Sequence, residues 1–536
     1  MSVEAKGNFE VVKIDQKGRR ARNVIIMLGD GMGIAHRTAA RIVAFGAQQG
    51  KANDRLEMDK FPYTGLVMTH SLNSIVTDSA PGMACYSSGN KANNNQEGVF
   101  PDDTTDPFDN PRVEYMGEFL HRTQGKSLGL VTTADVFDAT PAANAIHTSD
   151  RGAGTGICDQ YLDESGNNGL SVLLGGGRKW FLPKGTAGSV RANGNDYKLP
   201  AELATAWGVP TGAKDETRDL LGDFQTAGWT YAANRTDLDG APPATTKLLG
   251  LFSFSNMNIA KDKIDGRRGV VPPGSATGNP VVSDYGFPDQ PLLEEMTAKA
   301  LTVLNKNPQG FVLMVEGASI DKQAHNMDSE RWILDTIEFD HAVGVVRKFV
   351  EANPDTLVVI TADHECSGAN IIGASTKKAA DLAATASADL RKLVGTYDLA
   401  GFPSYSIAAD GYPTTTEPDY KLLIGYAANA DRYEDWQTNP FPAHDSQQPF
   451  DTVAPLSGYP RINSSDNSGA VNPLRPIRDV ATGFPITGHV DGNQAVHTAS
   501  DIPCSALGRG ASQFTGVLDN TDLFFRMLQA AVGGAL

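Results

Sequence analysis

Short apolar runs that end in polar residues recur along the chain. They are NVIIML (residues 23–28), LGLV (128–131), FVLMV (311–315) and TLVVI (356–360). Unbroken apolar runs of this length are typical of parallel strands that are buried on both faces of a sheet. A carboxylate follows each run within a few residues, namely Asp30, Asp135, Glu316 and Asp363. The pattern therefore places acidic groups at the strand ends, where open α/β sheets bind their ligands.

Helical periodicity separates these runs. Apolar positions between Leu292 and Leu304 recur every three or four residues, and Asn305 followed by Pro308 ends the pattern. A second amphipathic stretch covers residues 328–350, and a capped one covers residues 521–531. Strands that alternate with helices predict an α/β fold with a central, mostly parallel sheet flanked by helices.

Two long stretches break this alternation. Residues 155–290 and 374–487 are rich in Gly, Pro, Asn, Asp and Thr and show weak periodicity. We interpret them as two large insertions into an α/β core made of residues 1–154, 291–373 and 488–536. Structureless loops of this length are uncommon in a compact domain, so we expect each insertion to carry small elements on one side of the sheet.

Composition narrows the class of protein. The 536 residues carry a formal net charge of −17, which argues against nucleic-acid binding as a primary role. No apolar run approaches the ~20 residues that span a bilayer, so we predict no membrane partner. The first ten residues also lack the apolar segment of a signal peptide.

The cysteines leave the redox state open. Cys85, Cys158, Cys366 and Cys504 are widely scattered and form no C-x-x-C pair. This spacing disfavours a cysteine zinc cluster, while one or two disulfides stay compatible with it.

A small-residue segment, VTDSAPGMA (residues 76–84), offers a candidate nucleophile. A helix that begins at Ser79 would tolerate Pro81 in its first turn and would place the Ser79 hydroxyl at its positive end. Free backbone N–H groups at such a helix start suit an anion such as phosphate. The alternative interpretation is an ordinary serine at a helix start.

Candidate metal ligands lie near the other predicted strand ends. Asp321 and His325 are four residues apart, so on a helix they share a face and can chelate one cation, although such pairs also occur on solvated faces. Asp363 and His364 follow a buried strand directly. Together with Asp30, Glu316 and two histidines near the C-terminus, His489 and His497, these residues favour two closely spaced divalent ions. Imidazole donors favour zinc, and an oxygen-only site favours magnesium.

Six sequence blocks match one family in order and context. They are DGMG (30–33), TDSA (77–80), DATPAA (138–143), EGASIDKQAH (316–325), TADH (361–364) and HT (497–498). On these blocks the chain resembles the bacterial alkaline phosphatases of the zinc and magnesium type, over residues 22–151, 291–372 and 488–530. The resemblance implies hydrolysis of small phosphate monoesters through a phosphoserine, with release of inorganic phosphate. It also implies a periplasmic or extracellular location and leaves room for a homodimer.

The resemblance also implies a role for each matched residue. Ser79 resembles the nucleophile, Arg151 resembles the guanidinium that grips the phosphoryl oxygens, and Asp78 would orient Arg151. The implied metal set is two Zn²⁺ and one Mg²⁺, with these ligands: Asp321, His325 and His497 for the zinc that activates water, Asp30, Asp363 and His364 for the zinc beside Ser79, and Asp30, Thr140 and Glu316 for magnesium. Asp138 and Lys322 resemble positions that act through water.

Other classes of protein were compared with the chain at specific residues. Sulfatases of the same superfamily use a C/S-x-P-x-R motif, and the segment after Ser79 has the Pro but lacks the Arg. Phosphodiesterases of the superfamily often use Thr and lack the counterpart of Arg151. An inactive protein that binds metal and phosphate is the alternative from a different class. Two ligand assignments stay open as well: His489 lies eight residues before His497, and Cys366 is either a soft ligand or a buried structural thiol.

Overall fold

The computed structural model describes residues 11–48, 51–270, 289–375, 394–395, 397, 401–403, 405–414, 422–428 and 494–535. Its strands are β1 (Asn23–Gly29), β2 (Ala47–Gln48), β3 (Lys51–Ala52), β4 (Tyr63–Met68), β5 (Ser127–Asp135), β6 (Leu170–Gly176), β7 (Thr230–Ala232), β8 (Leu248–Leu251), β9 (Phe311–Gly317), β10 (Thr356–Thr361), β11 (Glu365–Cys366), β12 (Ala369–Ser375), β13 (Val394–Gly395), β14 (Leu422–Tyr426), β15 (His497–Thr498), β16 (Ile502–Gly508) and β17 (Gly516–Asp519).

The described α-helices are α1 (Ile34–Phe45), α2 (Ser79–Ser88), α3 (Met116–Gln124), α4 (Ala139–Ala142), α5 (Gly154–Asp163), α6 (Ser165–Asn168), α7 (Ala201–Trp207), α8 (Leu220–Thr226), α9 (Arg235–Gly240), α10 (Ala260–Arg267), α11 (Leu293–Leu304), α12 (Ser319–His325), α13 (Ser329–Ala352) and α14 (Asn520–Leu528). Short 3₁₀ turns lie at Glu57–Lys60, Arg178–Trp180, Asn193–Asn195 and Ala511–Gln513, and a π-helical turn at Gln529–Gly533 extends α14.

Ten of the strands form one sheet in the order β17-β4-β16-β10-β1-β9-β5-β6-β8-β7. Every neighbouring pair is parallel except the two pairs that β16 makes with β10 and β4. The predicted fold class, a mostly parallel sheet flanked by helices, is therefore confirmed. The four apolar runs seen in the sequence became β1, β5, β9 and β10, which are adjacent at the centre of the sheet.

Burial explains why these four runs form the centre. All residues of β1, β9 and β10 are buried, which requires cover on both faces of the sheet. The long helix α13 contacts β1, β9 and β10, and α11 contacts β5. Their apolar side chains join those of the sheet in one continuous core.

The sequence predicts that the stretch 155–290 lies on one side of the sheet, but the structure places its strands within the sheet. Its strands β6, β8 and β7 pair in parallel with one another and with β5, so they extend the same sheet at one edge. The apolar run LSVLLGG of β6 has the same buried character as the four central strands, but it lies among Gly- and Asn-rich residues that obscured it. A buried ion pair stabilises the region: the two terminal nitrogens of Arg191 lie 2.8 and 2.7 Å from the carboxylate oxygens of Asp159.

Much of the other predicted insertion, 374–487, lies outside the described residues. Its described part contributes to a separate three-stranded antiparallel sheet of β13, β12 and β14. A short antiparallel pair is formed by β11 with β15. In the portion of the chain that the structure describes, no helix combines the length and apolar character needed to cross a membrane.

Candidate active site

The carboxyl ends of the central strands bring the predicted residues to one edge of the sheet. Leu28 of β1 is level with Glu316 of β9 and with Thr361 of β10, and Thr132 of β5 is level with Glu316. The residues that follow these paired positions therefore lie side by side where the strands end. Open α/β sheets bind ligands at the carboxyl ends of their strands, and the candidate site lies at these ends.

Ser79 is the first residue of α2 and faces this edge. Asp78 precedes it as the helix N-cap and accepts a hydrogen bond from the Ala80 N–H at 2.7 Å. Ser79 is buried, and its Oγ lies 3.2 Å from Nε2 of His364. The helix start thus holds the hydroxyl against an imidazole and at the positive end of the helix, which suits an anion.

Three ion-paired side chains, those of Asp138, Arg151 and Lys322, lie on the side of the site next to Asp78. Asp138 caps α4 and accepts hydrogen bonds from Arg151 Nη2 at 2.7 Å and from Lys322 Nζ at 2.6 Å. Arg151 Nη1 also lies 3.6 Å from Asp78. Burial alone would raise the pKa of Asp138, but Lys322 and Arg151 hold that pKa well below its usual value. The guanidinium is therefore held by Asp138 and lies beside Asp78, and an orienting role of Asp78 stays a prediction.

One group of potential metal ligands consists of Asp321, His325 and His497. His325 Nε2 lies 3.3 Å from Asp321 Oδ2, and His497 Nε2 lies 3.4 Å from Asp321 Oδ1. Asp321 and His325 share a face of α12, while β15 delivers His497 from the other end of the chain. His489 lies outside the described residues, so the observed contacts concern His497.

The hydrogen bonds of the two imidazoles reveal where their lone pairs point. His325 Nδ1 lies 2.6 Å from the carbonyl of Ala495, and His497 Nδ1 lies 3.0 Å from that of Thr77. A carbonyl only accepts, so the neutral rings carry their protons on Nδ1. The two Nε2 lone pairs then face each other across 3.0 Å and also face Asp321. Such a set of donors repels unless a cation or proton lies among them.

A second group consists of Asp30, Asp363 and His364. His364 Nε2 lies 3.0 Å from Asp363 Oδ2 and 3.6 Å from Asp30 Oδ1. The other Asp363 oxygen accepts N–H hydrogen bonds from Gly31 at 3.1 Å and from His364 at 3.0 Å, which fixes its orientation. The rings of His364 and His497 stack with centroids 3.5 Å apart, so the two groups adjoin.

Glu316 and Thr140 complete the predicted set. Glu316 is buried at the end of β9 and accepts a hydrogen bond from the Thr132 hydroxyl at 2.5 Å. Burial raises the pKa of Glu316 to about 7. Thr140 is buried in α4, which contacts β9, but within the described chain its hydroxyl makes no hydrogen bond to Glu316 or Asp30.

The chemistry of these residues fits divalent metal ions. Asp30 Oδ1, Asp321 Oδ1 and Asp363 Oδ2 are buried and find no hydrogen-bond partner among the residues that the structure describes, which is costly for carboxylate oxygens. Burial, with the charges of Asp363 and Asp321, raises the pKa of Asp30 well above its usual value. Several carboxylates and imidazoles with free lone pairs are the donors that zinc and related cations take.

A further acidic group does not fit a cation. Asp159, Asp196 and Asp215 bring their oxygens close together. Arg191 lies 2.7 Å from Asp159 and 3.5 Å from Asp215, and Arg218 lies 3.5 Å from Asp159. These arginines neutralise the group, so we interpret it as structural.

Three residues with evident roles near the site were not predicted from the sequence. Thr132 binds Glu316 as described, and Glu365 accepts hydrogen bonds from the Thr498 hydroxyl and from the N–H groups of Gly368 and Ala369. Glu97 is wholly buried, neither of its carboxylate oxygens has a hydrogen-bond partner in the described part of the chain, and burial raises its pKa well above the usual value. Their roles depend on pairings between distant segments, and a single sequence gives no signal for such pairings.

All four cysteines are buried free thiols, so no disulfide forms among them. The thiols of Cys85, Cys158 and Cys504 are not part of any ligand group that the described residues form, whereas Cys366 lies with Asp321, His325 and His497.

Gly31 has a conformation and surroundings that only glycine tolerates. Its φ is +69°, and an added Cβ would lie 2.9 Å from side-chain atoms of Asp321 and of Cys366. We expect Gly31→Ala to displace Asp321 and to lower the metal content of the purified protein. Gly228→Ala is a matched control, because Gly228 has φ +86° but open space at the Cβ position. Equal metal content in the two variants would contradict this prediction.

This fold and site define an α/β protein in which a serine lies beside two groups of candidate metal ligands. The sequence model of the family "Alkaline phosphatase" matches residues 21–532. The chain therefore belongs to the alkaline phosphatase family.

Individual relatives agree with this assignment. The chain is 32% identical over 367 residues to the tissue-nonspecific alkaline phosphatase of Gallus gallus, covering 64% of this chain and 63% of the relative. It is also 32% identical over 385 residues to alkaline phosphatase H of Pseudomonas aeruginosa, covering 66% of this chain and 71% of the relative. The matched region thus spans less than two thirds of the length of the chicken protein.

Solved structures show the same fold. The alkaline phosphatase of Thermus thermophilus superposes with a TM-score of 0.57 at 22% identity, covering 96% of this chain and 92% of that chain. The enzyme of the Antarctic bacterium TAB5 gives a TM-score of 0.55 at 19% identity, covering 96% and 98%.

Proposed function

We propose that the protein is an alkaline phosphatase, a metal-dependent phosphomonoester hydrolase that forms a phosphoserine on Ser79. The observation that carries this proposal is the position of the Ser79 hydroxyl. It lies 3.2 Å from His364, at the start of a helix, on the edge that holds both groups of unpartnered ligand atoms. A phosphoryl group that is bound there would meet a nucleophile, a guanidinium and the positive end of a helix together.

Ser79 acts in the first of two displacements. Its Oγ forms a bond to phosphorus while the bond between phosphorus and the ester oxygen breaks, and the alcohol leaves. Water then attacks the phosphoserine, which releases inorganic phosphate and restores the Ser79 hydroxyl. A serine hydroxyl is a weak nucleophile until its proton is withdrawn, which explains the need for the cluster around it.

Arg151 holds the non-bridging oxygens of the phosphoryl group. Asp138 fixes the guanidinium through one nitrogen, and the planar group can offer parallel N–H donors to two oxygens. Charge spreads over these oxygens in a loose transition state, so a fixed cation stabilises it. Lys322, held by the other Asp138 oxygen, orients water next to the transferred group.

Two zinc ions and one magnesium ion are the proposed cofactors. Asp321, His325 and His497 would hold one zinc, Asp30, Asp363 and His364 the other, and Asp30, Thr140 and Glu316 the magnesium. When bound, such ions lower the pKa of hydroxyl groups and neutralise charge on the attacking and leaving oxygens. A variant of the TAB5 enzyme has been solved with Mg bound, which supports a magnesium position in the family.

The first experiment measures hydrolysis of an aryl phosphate monoester at alkaline pH, with an aryl phosphate diester in parallel. The protein is assayed as purified, after chelation, and after addition of zinc with magnesium. Loss of monoester hydrolysis on chelation and its recovery with both metals are expected. Faster turnover of the diester would favour a phosphodiesterase, and no turnover of either ester would favour a binding protein.

Arg151 gives a second test of the site. We expect Arg151→Ala to raise KM for the monoester, and Ki for inorganic phosphate, by about 10- to 100-fold, because a charge-assisted bidentate contact is lost. The metal content should be unchanged, because Arg151 contacts no proposed ligand. Arg122→Ala serves as control, since Arg122 is an exposed arginine paired with Glu114. An unchanged Ki for phosphate in Arg151→Ala would refute the proposed role.

Location and assembly are proposed from the family. We infer a periplasmic or extracellular enzyme, as is usual for its bacterial members, and a homodimer as its assembly. Cell fractionation with the monoester assay tests the location, and sedimentation of the purified protein tests the assembly.

A further inference from the structure

Cys366 lies directly opposite His497 in the short β11–β15 pair. Residues that face each other across an antiparallel pair project their side chains to the same side. The thiol therefore points to the side of the pair that carries the His497 ring. Its sulfur, one nitrogen of each of His325 and His497, and an oxygen of Asp321 all lie within 4.8 Å of one another.

The backbone holds Cys366 against Asp321. The Cys366 N–H donates to the Gly31 carbonyl at 3.0 Å, and the absence of a side chain at Gly31 leaves room for Asp321 and Cys366 to approach each other. The nearest hydrogen-bond acceptor of the thiol is the Asp321 carbonyl, at 3.8 Å. This contact is long and weak, so it does not commit the sulfur to a structural role.

The charges of the group favour an additional anionic donor. Asp321 supplies one negative charge and the two neutral imidazoles supply none, so this group alone leaves a divalent ion half neutralised. A divalent cation deprotonates a thiol that coordinates it. With the resulting thiolate, the group matches the charge of the ion and contains four donors, the usual number for zinc.

We propose that Cys366 is a sulfur ligand of the metal ion held by Asp321, His325 and His497. This inference rests on the proposed function only for the presence of that ion. On binding, the S–H bond breaks, the proton passes to solvent, and the sulfur lone pair forms the bond to the metal. With these four residues as ligands, the ion would still accept substrate or water as a further ligand, because zinc also binds five donors.

A sulfur ligand changes which ions the site prefers. Thiolates are soft donors and select for soft cations over hard ones. The site should therefore bind Cd²⁺ unusually tightly for a group otherwise made of a carboxylate and imidazoles. Cys366 would also make the site a target for thiophilic inhibitors.

The test loads the chelated protein with Co²⁺ and records its near-ultraviolet absorption. Thiolate ligation gives an intense sulfur-to-cobalt charge-transfer band, which carboxylate and imidazole ligation do not give. We expect this band in the parent protein and its loss in Cys366→Ser and Cys366→Ala. Cys85→Ser and Cys504→Ser, which alter equally buried thiols away from the site, should keep the band.

A titration with Cd²⁺ gives an independent readout. Cys366→Ser should bind the ion more weakly by more than about tenfold, the loss that even an outer hydrogen-bond partner of a ligand can cause. Binding should also release one proton fewer in Cys366→Ser than in the parent, as a pH-stat records.

The outcomes separate this inference from the proposed function. Bound Co²⁺ without a charge-transfer band in the parent would overturn the sulfur ligand and leave the phosphatase proposal standing. A band that persists in Cys366→Ser and Cys366→Ala would overturn it as well. Failure of the parent to bind any Co²⁺ or Zn²⁺ would overturn both proposals.

Discussion

Ser79→Ala is expected to lower turnover of an aryl phosphate monoester by on the order of 10³-fold and to abolish labelling of the protein by radioactive phosphate. The variant lacks the oxygen that accepts the phosphoryl group, while Arg151 and the proposed metal ligands stay in place. Residual activity is expected because the remaining groups still stabilise charge in the transition state. The measurement combines steady-state kinetics with acid quenching and isolation of labelled protein.

The matched control for this prediction is Ser88→Ala. Ser88 lies in the same helix and is as buried as Ser79, at 4% exposure, but its hydroxyl bonds nearby backbone groups: it donates to the Ala84 carbonyl at 2.7 Å and accepts from the Asn90 N–H at 3.3 Å. Its replacement should leave labelling and turnover near the parent values. Metal content measured by atomic emission should be the same in all three proteins. Full turnover in Ser79→Ala would refute the assignment of the nucleophile.

His325→Ala is expected to remove about one zinc ion per chain and to reduce activity by about 100-fold or more. A zinc held by Asp321, His325 and His497 loses one of its protein donors, and a site that lacks one of its ligands binds zinc more weakly. The zinc held by Asp30, Asp363 and His364 should stay bound. Zinc titration of the chelated variant, followed by emission spectroscopy, gives the stoichiometry.

His341→Gln controls for the loss of a half-buried helical histidine. The side chains of His341 and His325 are 30% and 27% exposed, and each pairs with a carboxylate. His341 lies on α13 and belongs to neither ligand group, so its replacement should leave the zinc content unchanged. If His325→Ala binds as much zinc as His341→Gln, the assignment of His325 as a ligand is wrong.

The centre of the fold was predictable, and its edges were not. Four buried apolar runs marked β1, β5, β9 and β10, because strands covered on both faces need no polar residues. Strand β4 is partly exposed, and β16 contains Pro503 and Gly508, so neither presents an unbroken apolar run. Strand β6 does present one, but its surroundings suggested an insertion rather than an extension of the sheet.

Six candidate ligands could be named from local patterns, because they follow strand ends or share a helix face, whereas Arg151, Thr140, Asp138 and Lys322 were named only through the family resemblance. The structure brings Asp30, Asp363 and His364 together, and Asp321, His325 and His497 together; their roles as ligands stay a prediction. The contacts of Glu97 and Cys366 could not be predicted in the same way. Neither fits a local pattern, and each acquires its neighbours only through pairing between segments that are far apart in the chain.

This spread of the ligands along the chain bears on how the protein folds. The hydrogen bond from Gly31 to Asp363 joins residues 332 positions apart, and that from His497 to Thr77 spans 420 positions. Contacts of such high order close large loops and form slowly, so the ligand groups assemble late on the folding pathway. We therefore expect that metal ions do not nucleate this fold as they do in small zinc domains. Ions that bind only to the finished sheet would oppose its unfolding, so their removal should accelerate unfolding far more than it slows refolding.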